Sequence, residues 1–350
     1  MSRLNLISSK RLAGAAMKMA AALTAVLLCG CERRMLYDPE YGTKLRVEID
    51  VENIRNVTCD VYNPNIPLPG IETEMMHVML YDEEGRHVVT ELYVSNKEVN
   101  GEGRTVFKSI MNVPPGRYRL LSYNFGTEAA VVEDWHEADK AYVHSSPVPE
   151  KLSMMYRKYS SKAPDDEMET VVYEPEHLVV ASDYVDIPYH SEVYTIEADA
   201  TTVVETWYIQ IRVDGLKYVN SAQAFLSGMV SANYIASDLR VTDPQVTVWF
   251  PMVKSTDNDK DVICAVFNTF GRVDGSVNDL RITFGINTVD GKTTMKEFDI
   301  SDLFGTENAK LHHWLLLDEV IEIEKPEDNT GGGFNPEVGD WEEEHKEIII

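Results

Sequence analysis

The feature that most restricts what this 350-residue chain can fold into is a strict alternation of apolar and charged residues near position 45. From Lys44 to Val51 every second residue is Leu, Val or Ile, and the residues between them are Lys, Arg, Glu and Asp. Successive side chains of a strand point to opposite faces, so this pattern predicts a β-strand with one face on a core and the other in water. The first structured segment is therefore expected to belong to a sheet.

Further strand and turn signals follow through the first half of the chain. Met75 to Tyr81 and His87 to Val94 read as a hairpin, in which Gly85 supplies the positive φ of the turn. Between residues 127 and 162 the pattern weakens, and either short helices or ordered loops fit the segments at 129–138 and 151–159. Three short strands are then expected to close a first domain, at 171–173, 178–180 and 185–189.

The second half of the chain shows the same kinds of strand and turn signals. Trp207 to Val213 alternates, Asp290-Gly291 fits a two-residue hairpin, and Trp314 to Ile323 reads as a last long strand. Turn signals about every ten residues favour an all-β fold with two antiparallel β-sandwich domains. The expected organisation is a signal peptide at 1–30, an N-terminal sandwich with its tether at 31–193, a C-terminal sandwich at 194–325, and a Gly-rich linker with an apolar strand at 326–350.

The N-terminus carries an export signal. Basic residues precede the apolar run Met19 to Leu28, which is too short to span a bilayer as a stable helix. Leu28-Cys29-Gly30-Cys31 resembles the lipobox of bacterial lipoproteins, so Cys31 is the predicted lipidated residue. The alternative is an ordinary cleaved signal in which Cys31 is a simple thiol. No second apolar run reaches membrane-spanning length, so the lipid is the expected membrane attachment.

Charge and cysteine content limit the partners and the source of stability. Residues 1–30 hold four of the 32 basic and none of the 58 acidic residues, so the remaining chain has a formal charge of −30. Such a surface repels nucleic acid. Only Cys59 and Cys264 remain beyond Cys31, about two hundred residues apart, so no disulfide framework is expected.

The C-terminus has an unusual composition. A linker at 325–333 ends in three glycines, yet the apolar residues that follow it are Phe334, Trp341, Ile348, Ile349 and Ile350. Burying the terminal triplet would contribute several kcal/mol at roughly 25 cal/mol per Å² of apolar area. This tail is expected to dock either on an edge of its own second domain or, as an added strand, on another subunit.

Several of these segments together resemble the Bacteroidales fimbrillin-like lipoproteins, a superfamily of major and minor fimbrial subunits, anchors and tips, and in particular its uncharacterised members. The segments that carry the resemblance are the lipobox followed by Glu32-Arg33-Arg34, the strand at 114–126, Phe267-Asn268-Thr269-Phe270-Gly271, and the tail from Gly331 through Trp341.

This resemblance implies two transthyretin-like Greek-key β-sandwiches, export as a lipoprotein to the outer membrane, and assembly by strand exchange. In polymerising members a protease cuts after an Arg near the first strand, which opens a groove for a neighbour's C-terminal strand. Arg46 and Arg55 lie in the corresponding neighbourhood. Neither lies in a specific motif, and the reading of both as exposed strand or loop residues is favoured.

No catalytic set is evident, and no cofactor or metal is expected. The chain lacks G-x-S-x-G, H-E-x-x-H, C-x-x-C and P-loop motifs. His312 and His313 would point to opposite faces of a strand and so could not chelate one ion together. Asp257, Asp259 and Asp261 have the initial spacing of a calcium loop, but the glycine and closing glutamate are missing, so a solvated turn is favoured.

The aromatic residues leave a second hypothesis open. Trp207 and Trp249 fall on strand patterns and are expected to pack in the core or in cross-strand pairs. Trp135 and Trp341 lie in less regular segments and are better candidates for contacting a partner. The leading hypothesis is a non-enzymatic, surface-exposed fimbrial lipoprotein that binds other subunits or copies of itself in adhesion. The alternative is a surface glycan-binding lipoprotein of a nutrient-uptake system, since flat rings stack on sugars.

Overall fold

The computed structural model of the protein describes residues 42–52, 66–159, 169–189, 192–273 and 280–326. The strands of the first part, in chain order, are β1 (Thr43–Val51), β2 (Met76–Tyr81), β3 (Val88–Val94), β4 (Lys97–Val99), β5 (Thr105–Val113), β6 (Gly116–Asn124), β7 (Ala130–Glu133), β8 (Tyr142–Ser145), β9 (Thr170–Tyr173), β10 (Val179–Ile187) and β11 (Tyr194–Thr202). The protein is predominantly β, as expected.

The strands of the second part, in chain order, are β12 (Glu205–Asp214), β13 (Val219–Met229), β14 (Ala232–Tyr234), β15 (Leu239–Val241), β16 (Val246–Asp257), β17 (Lys260–Thr269), β18 (Arg281–Thr288), β19 (Thr293–Asp299) and β20 (Trp314–Glu322). The α-helices of the described ranges are short: α1 (Glu150–Arg157) lies between β8 and β9, and α2 (Glu307–His312) lies between β19 and β20. None of the described helices is long and apolar enough to cross a membrane.

The first sheet has the strand order β3-β2-β6-β10-β11-β1-β5-β4 and curls around one apolar core. The alternation in β1 is confirmed, because its odd-numbered positions from 43 to 51 are buried while Lys44 and Arg46 are exposed. In contrast, β2 is buried at every position. Its second face is covered by a small sheet with the order β15-β14-β8-β7, which buries Met79 and Tyr81 in another cluster.

The second sheet has the strand order β19-β18-β13-β16-β17-β12-β20, and β9 also pairs with β16. One face of this sheet surrounds the largest apolar cluster, in which the rings of Phe250 and Phe267 stack with centroids 3.9 Å apart. Burial of such aromatic and β-branched side chains supplies the main driving force for folding. Cys264 is buried and forms no disulfide within the described ranges.

The expectation of purely antiparallel sheets is wrong in detail. Most pairs are antiparallel, but β1 runs parallel to β11, β12 to β20, and β9 to β16. Hairpin connections can only give antiparallel neighbours, whereas each parallel pair joins strands that are separated by a long stretch of chain. Local turn signals do not report such pairings, so the alternation predicted the strands without predicting these directions.

Two predicted hairpins occur, and one has a different loop. Gly85 has φ of +72° in the turn between β2 and β3, as predicted. Between β18 and β19 the Thr288 N–H donates to the Lys292 carbonyl, so the loop has three residues where two were expected. Gly291 takes its positive φ, +80°, at the third loop position, which is the usual arrangement of a three-residue hairpin.

The region that the sequence left open contains both strands and a helix. Residues 129–138 contribute β7, while residues 151–159 include most of α1. Of the three short strands expected to close the first domain, the first is β9, which instead joins β16 of the second sheet, and the other two fall largely on the single strand β10, Val179–Ile187. β11 lies in the first sheet between β10 and β1. The expected bounds of the two domains stay a prediction.

Candidate functional site

The central position of β1 is the first feature that bears on function. β1 pairs with β5 over its full length and with β11 from Leu45 to Val51, so both of its edges are hydrogen-bonded. Its side chains Leu45, Val47, Ile49 and Val51 are at most 1% exposed. Without β1, the sheet would have an apolar slot flanked by two unpaired strand edges, which is the structure that an added strand fills.

The predicted site residues in this region fall partly inside the described ranges. Arg46 lies within β1, where it pairs with Ile110 of β5 and Thr195 of β11, and its side chain is exposed. Its backbone is held on both sides, which does not suit a cleavage position in the folded chain. Arg55 lies outside the described residues. So do Cys31 and the tail residues Phe334, Trp341, Ile348, Ile349 and Ile350.

A cleft lies between the two large sheets. It has a volume of about 820 Å³, within the range of roughly 300–1,000 Å³ that is common for ligand pockets. Residues 124–127 and 129, at the end of β6 and just after it, form one wall, and Trp249, Pro251 and Asn268 of the second sheet form the opposite wall. The segments at 173–177 and 69–74 complete it. Lys and Arg are absent from the described residues that line this cleft.

Glu174 is the most strongly perturbed acid of this cleft. It directly follows β9, and its backbone N–H donates to the Trp249 carbonyl at 3.1 Å, which fixes it against the second sheet. Its Oε2 accepts a hydrogen bond from the backbone N–H of Asn268 at 3.1 Å. Burial raises the pKa of the Glu174 carboxyl to about 7, and the nearby negative charge of Glu176 adds to the effect.

This shift predicts that Glu174→Gln stabilises the protein at alkaline pH. The unfolded carboxyl loses its proton near 4.5, whereas the folded one keeps it up to about 7, so stability is lost as pH rises through that window. The Gln side chain does not ionise, so it removes the cost of a buried charge. Its oxygen can still accept from the backbone N–H of Asn268. The difference in unfolding free energy between the variant and the wild type should therefore increase, in favour of the variant, by roughly 3 kcal/mol from about pH 4 to about pH 8.

Urea denaturation at the two pH values measures the gain. Glu319→Gln is the matched control, because Glu319 is an exposed residue of β20 that does not line the cleft. A stability difference between Glu174→Gln and wild type that stays constant with pH would contradict the burial of this carboxyl.

An aromatic cluster adjoins the cleft and surrounds a buried histidine. The His77 ring, fully buried on β2, stacks on Tyr93 with centroids 4.3 Å apart and meets the rings of Phe125 and Trp135 edge-on. Tyr93 and Phe125 are each 47% exposed, and Phe125 also lines the cleft. The cluster and the cleft therefore form one continuous surface.

Hydrogen bonds fix the histidine at the centre of this cluster. The Nδ1 atom of His77 lies 3.0 Å from the Tyr123 hydroxyl, and Nε2 lies 3.1 Å from Glu91 Oε2. Burial lowers the pKa of the His77 imidazole, while the Glu91 carboxylate opposes that shift. The cluster thus presents exposed rings on a hydrogen-bonded support.

The candidate metal ligands are not brought together. His312 ends α2 and stacks on Trp314, while His313 caps the helix with φ of +55° and stacks on Trp207. The two rings diverge as expected, but because of the helix end and not because of a strand. Asp257 and Asp261 flank the hairpin turn between β16 and β17. Within the described ranges, no three His, Cys, Asp or Glu side chains form a metal-binding group.

The two tryptophans on strand patterns have the predicted settings, since Trp207 lies in the core and Trp249 pairs across strands with Tyr173 of β9. Trp207 is 6% exposed and belongs to the main core, as predicted. Trp249 is half-buried on the other face of its sheet, where its indole N–H donates to Gln223 and its ring lines the cleft. Trp135 is half-buried beside His77. Sequence reasoning missed Glu174 and the cleft, because no local pattern marks two sheets that meet across a long connection.

The fold is thus that of an all-β protein with two large mixed sheets and a cleft between them. The chain belongs to the family described as a domain of unknown function, DUF5119, whose model matches residues 30–251. A protein of Bacteroides ovatus named "Putative fimbrium anchoring subunit Fim4B" is 23% identical, and the match covers 90% of this chain and 92% of the relative. The resemblance to the fimbrillin-like superfamily is confirmed.

Two solved structures are among those that match the chain. A crystal structure of "a putative adhesin" from Bacteroides ovatus matches with a TM-score of 0.52 and 20% identity, covering 85% of this chain and 98% of the other. The fimbrial anchor protein Mfa2 from Porphyromonas gingivalis matches with a TM-score of 0.43 and 10% identity, covering 79% and 88%. The first likeness supports the fold described above.

Proposed function

We propose that the chain is a non-enzymatic surface lipoprotein that serves as a structural, anchor or tip subunit of a fimbria-like adhesive assembly. In this proposal it joins other fimbrial subunits, or further copies of itself, by β-strand addition. The names of its relatives support this role, since they include a fimbrium anchoring subunit and an adhesin. At the level of the fold, we propose that the two large sheets belong to transthyretin-like Greek-key sandwiches with the domain bounds expected from the sequence.

One observation carries the proposal: the first strand of the described chain occupies a slot between β5 and β11. Its inward side chains are buried and both of its edges are paired, so it closes its sheet with the same contacts that a donated strand would make. With β1 in place the slot is filled, which favours an anchor, a tip or a subunit before assembly. Cleavage near Arg46 or Arg55 would be required only for a shaft subunit that exposes this slot.

The C-terminal tail is the proposed donor of a strand. Its deletion, from Gly331 to Ile350, should abolish association with partner subunits, because the terminal isoleucines are the apolar residues that would fill a partner's slot. Pull-down of partner subunits from extracts of the source bacterium, with the purified full-length chain as bait, measures this. Replacing Glu342, Glu343 and Glu344 by Gln is the control, because it alters the tail's charge and keeps its apolar residues. Undiminished association after the deletion would argue strongly against strand addition.

The lipid anchor is proposed at Cys31, with the protein in the outer membrane and exposed at the cell surface. Cys31→Ser should remove acylation and move the protein from the membrane fraction to the soluble fraction. Cys29→Ser is the matched control and should leave the protein membrane-bound, because Leu28 before Cys29 is too bulky for the cleavage pocket. Fractionation with labelling by a palmitate analogue measures both outcomes. Retention of label in Cys31→Ser would show that the lipid is attached elsewhere.

A further inference from the structure

The geometry of the cleft between the two sheets points to a binding site for a positively charged organic group, an alkylammonium or guanidinium, as carried by the Lys or Arg side chain of a partner polypeptide. β1, the strand that fills the slot of the proposed strand addition, contributes no residue to the described lining of this cleft. The inference therefore does not rest on that slot, and each can fail without the other.

The charges that line the cleft have one sign. Its described acidic residues are Glu72, Glu74, Glu174 and Glu176, and Lys and Arg are absent from its described lining. Two of these acids are already engaged: Glu176 accepts from backbone N–H groups of residues 128–130, and Glu74 pairs with Lys97 at 3.0 Å. Glu174 has a backbone N–H as its partner and no basic side chain beside it within the lining. An anionic ligand would be repelled, whereas a cation would supply the charge that a buried carboxylate needs.

The hydrogen-bonding groups of the cleft favour a ligand that donates, because several side-chain donors of the lining already have partners within the protein. The amide of Asn124 donates to the His177 carbonyl and that of Asn268 donates to the Pro175 carbonyl. The indole N–H of Trp249 donates to Gln223, and the Thr127 hydroxyl donates to the Ala130 carbonyl. Each of these groups uses a donor within the protein, whereas the ionised carboxylates of the lining can only accept. Ammonium and guanidinium groups have donors and no acceptor, whereas a sugar hydroxyl needs both.

Aromatic rings complete the complementarity. Phe125 is 47% exposed at one wall, and Trp249 lies at the other with Tyr173 packed edge-on against it at 5.5 Å. The face of an aromatic ring attracts a cation within about 6 Å, and the attraction increases when the cation is desolvated. The formal charge of −30 beyond the signal also raises the local concentration of cations. Carboxylates together with ring faces therefore suit a basic side chain.

A titration with small probes tests this inference on the chain from residue 32 to 350. Nα-acetyl-lysine methylamide and Nα-acetyl-arginine methylamide carry the charged groups, and the Nε-acetylated lysine analogue is a neutral match. The signal of the Trp249 indole N–H in a ¹H–¹⁵N spectrum, assigned with Trp249→Phe, reports occupancy of the cleft. Saturable shifts with a Kd of roughly 1 mM are expected for the charged probes, and none for the neutral analogue.

The pH dependence adds a second reading. Ionisation of Glu174, whose pKa is about 7, should strengthen binding by roughly thirtyfold from about pH 5.5 to about pH 8.5, since only the ionised fraction is competent. The other titratable groups of the described lining are Glu72, Glu74, Tyr173, Glu176 and His177, so Glu174→Gln is needed to assign the effect. That variant should bind at least about tenfold more weakly at high pH and lose most of the pH dependence, while Glu319→Gln should bind as the wild type does.

Equal binding by Glu174→Gln, or no saturable shift at alkaline pH with the charged probes, would overturn the inference. A neutral oligosaccharide that shifts the same indole signal more strongly than the charged probes would also overturn it, and would assign the cleft to glycans instead. Glu174→Gln keeps a side-chain oxygen that can accept from the backbone N–H of Asn268, so the variant is expected to fold. The same ¹H–¹⁵N spectrum checks its folding.

Discussion

Val47→Asp should destabilise the protein by about 4 kcal/mol or more, because it places an unpaired carboxylate in the middle of an apolar core. Val47 is 1% exposed and lies at the centre of β1, where the residues opposite it are Ser109 of β5 and Ile196 of β11. Neither neighbour is a cation, so the new charge would have no partner. The loss is a large fraction of the stability of an ordinary domain.

The matched control for this prediction is Arg46→Asp. It introduces the same residue one position earlier on the same strand, where the side chain points to solvent, and should change stability by less than about 1 kcal/mol. Urea denaturation followed by tryptophan fluorescence compares the two. Similar midpoints for both variants would mean that β1 does not close the first sheet in solution, and the slot would lose its role in the proposed function.

Gly215→Ala should cost about 3 kcal/mol or more. Gly215 follows β12 with φ of +90°, a left-handed conformation that costs about 1–2 kcal/mol for a residue with a side chain. In addition, a Cβ atom there would overlap the backbone carbonyl oxygen of Ile323. That carbonyl is held close because the Ile323 N–H donates to Asp214 at 2.8 Å at the end of the parallel β12–β20 pair. Neither backbone segment can move without breaking that hydrogen bond.

Gly291→Ala separates the two contributions. Gly291 also has a positive φ, +80°, but a Cβ atom there would have no neighbour within 4 Å. It should therefore cost only the backbone contribution of about 1–2 kcal/mol. Thermal or chemical denaturation of both variants measures the difference. Equal losses would show that Ile323 does not approach Gly215, and thus that β20 does not pair with β12 as described.

Local patterns predicted the local structures of this protein. The alternation in β1, the turn at Gly85 and the final strand near Trp314 each depend on a few consecutive residues, and each occurs. The hairpin at Gly291 was located correctly, but with a loop one residue too short. Gly291 takes its positive φ as the third residue of a three-residue loop. A two-residue loop would also need a glycine near this position, so the glycine alone does not indicate the loop length.

Long-range pairing was the part that the sequence could not predict. β9 has the composition of any short buried strand, and its Val171 and Val172 would fit either large sheet. It pairs with β16 of the second sheet, and the chain then crosses to β10 of the first sheet, which carries Glu174 into the cleft. Contacts between residues far apart in sequence leave no periodic signal.

The candidate site also has features that local sequence predicts and features that depend on distant contacts. The inward residues of β1 could be read from their period, so the apolar strand of the slot was recognisable before its neighbours were known. Trp135 was singled out for its irregular segment, yet the cluster around it depends on His77 and Tyr93, which come from a hairpin far earlier in the chain. The burial of His77 was not predicted. A histidine within an apolar strand gives no local signal that other elements will cover its face of the sheet.

By itself the sequence determined that the chain is built of β-strands, where many of them lie, and that its charge is strongly negative. Only the tertiary structure decided that β1 is held between β5 and β11, that three strand pairs run parallel, and that an acidic cleft separates the sheets. The physical reason is the range of the interactions. Strand formation follows from side chains two residues apart, whereas sheet order and burial depend on which distant apolar faces can cover one another.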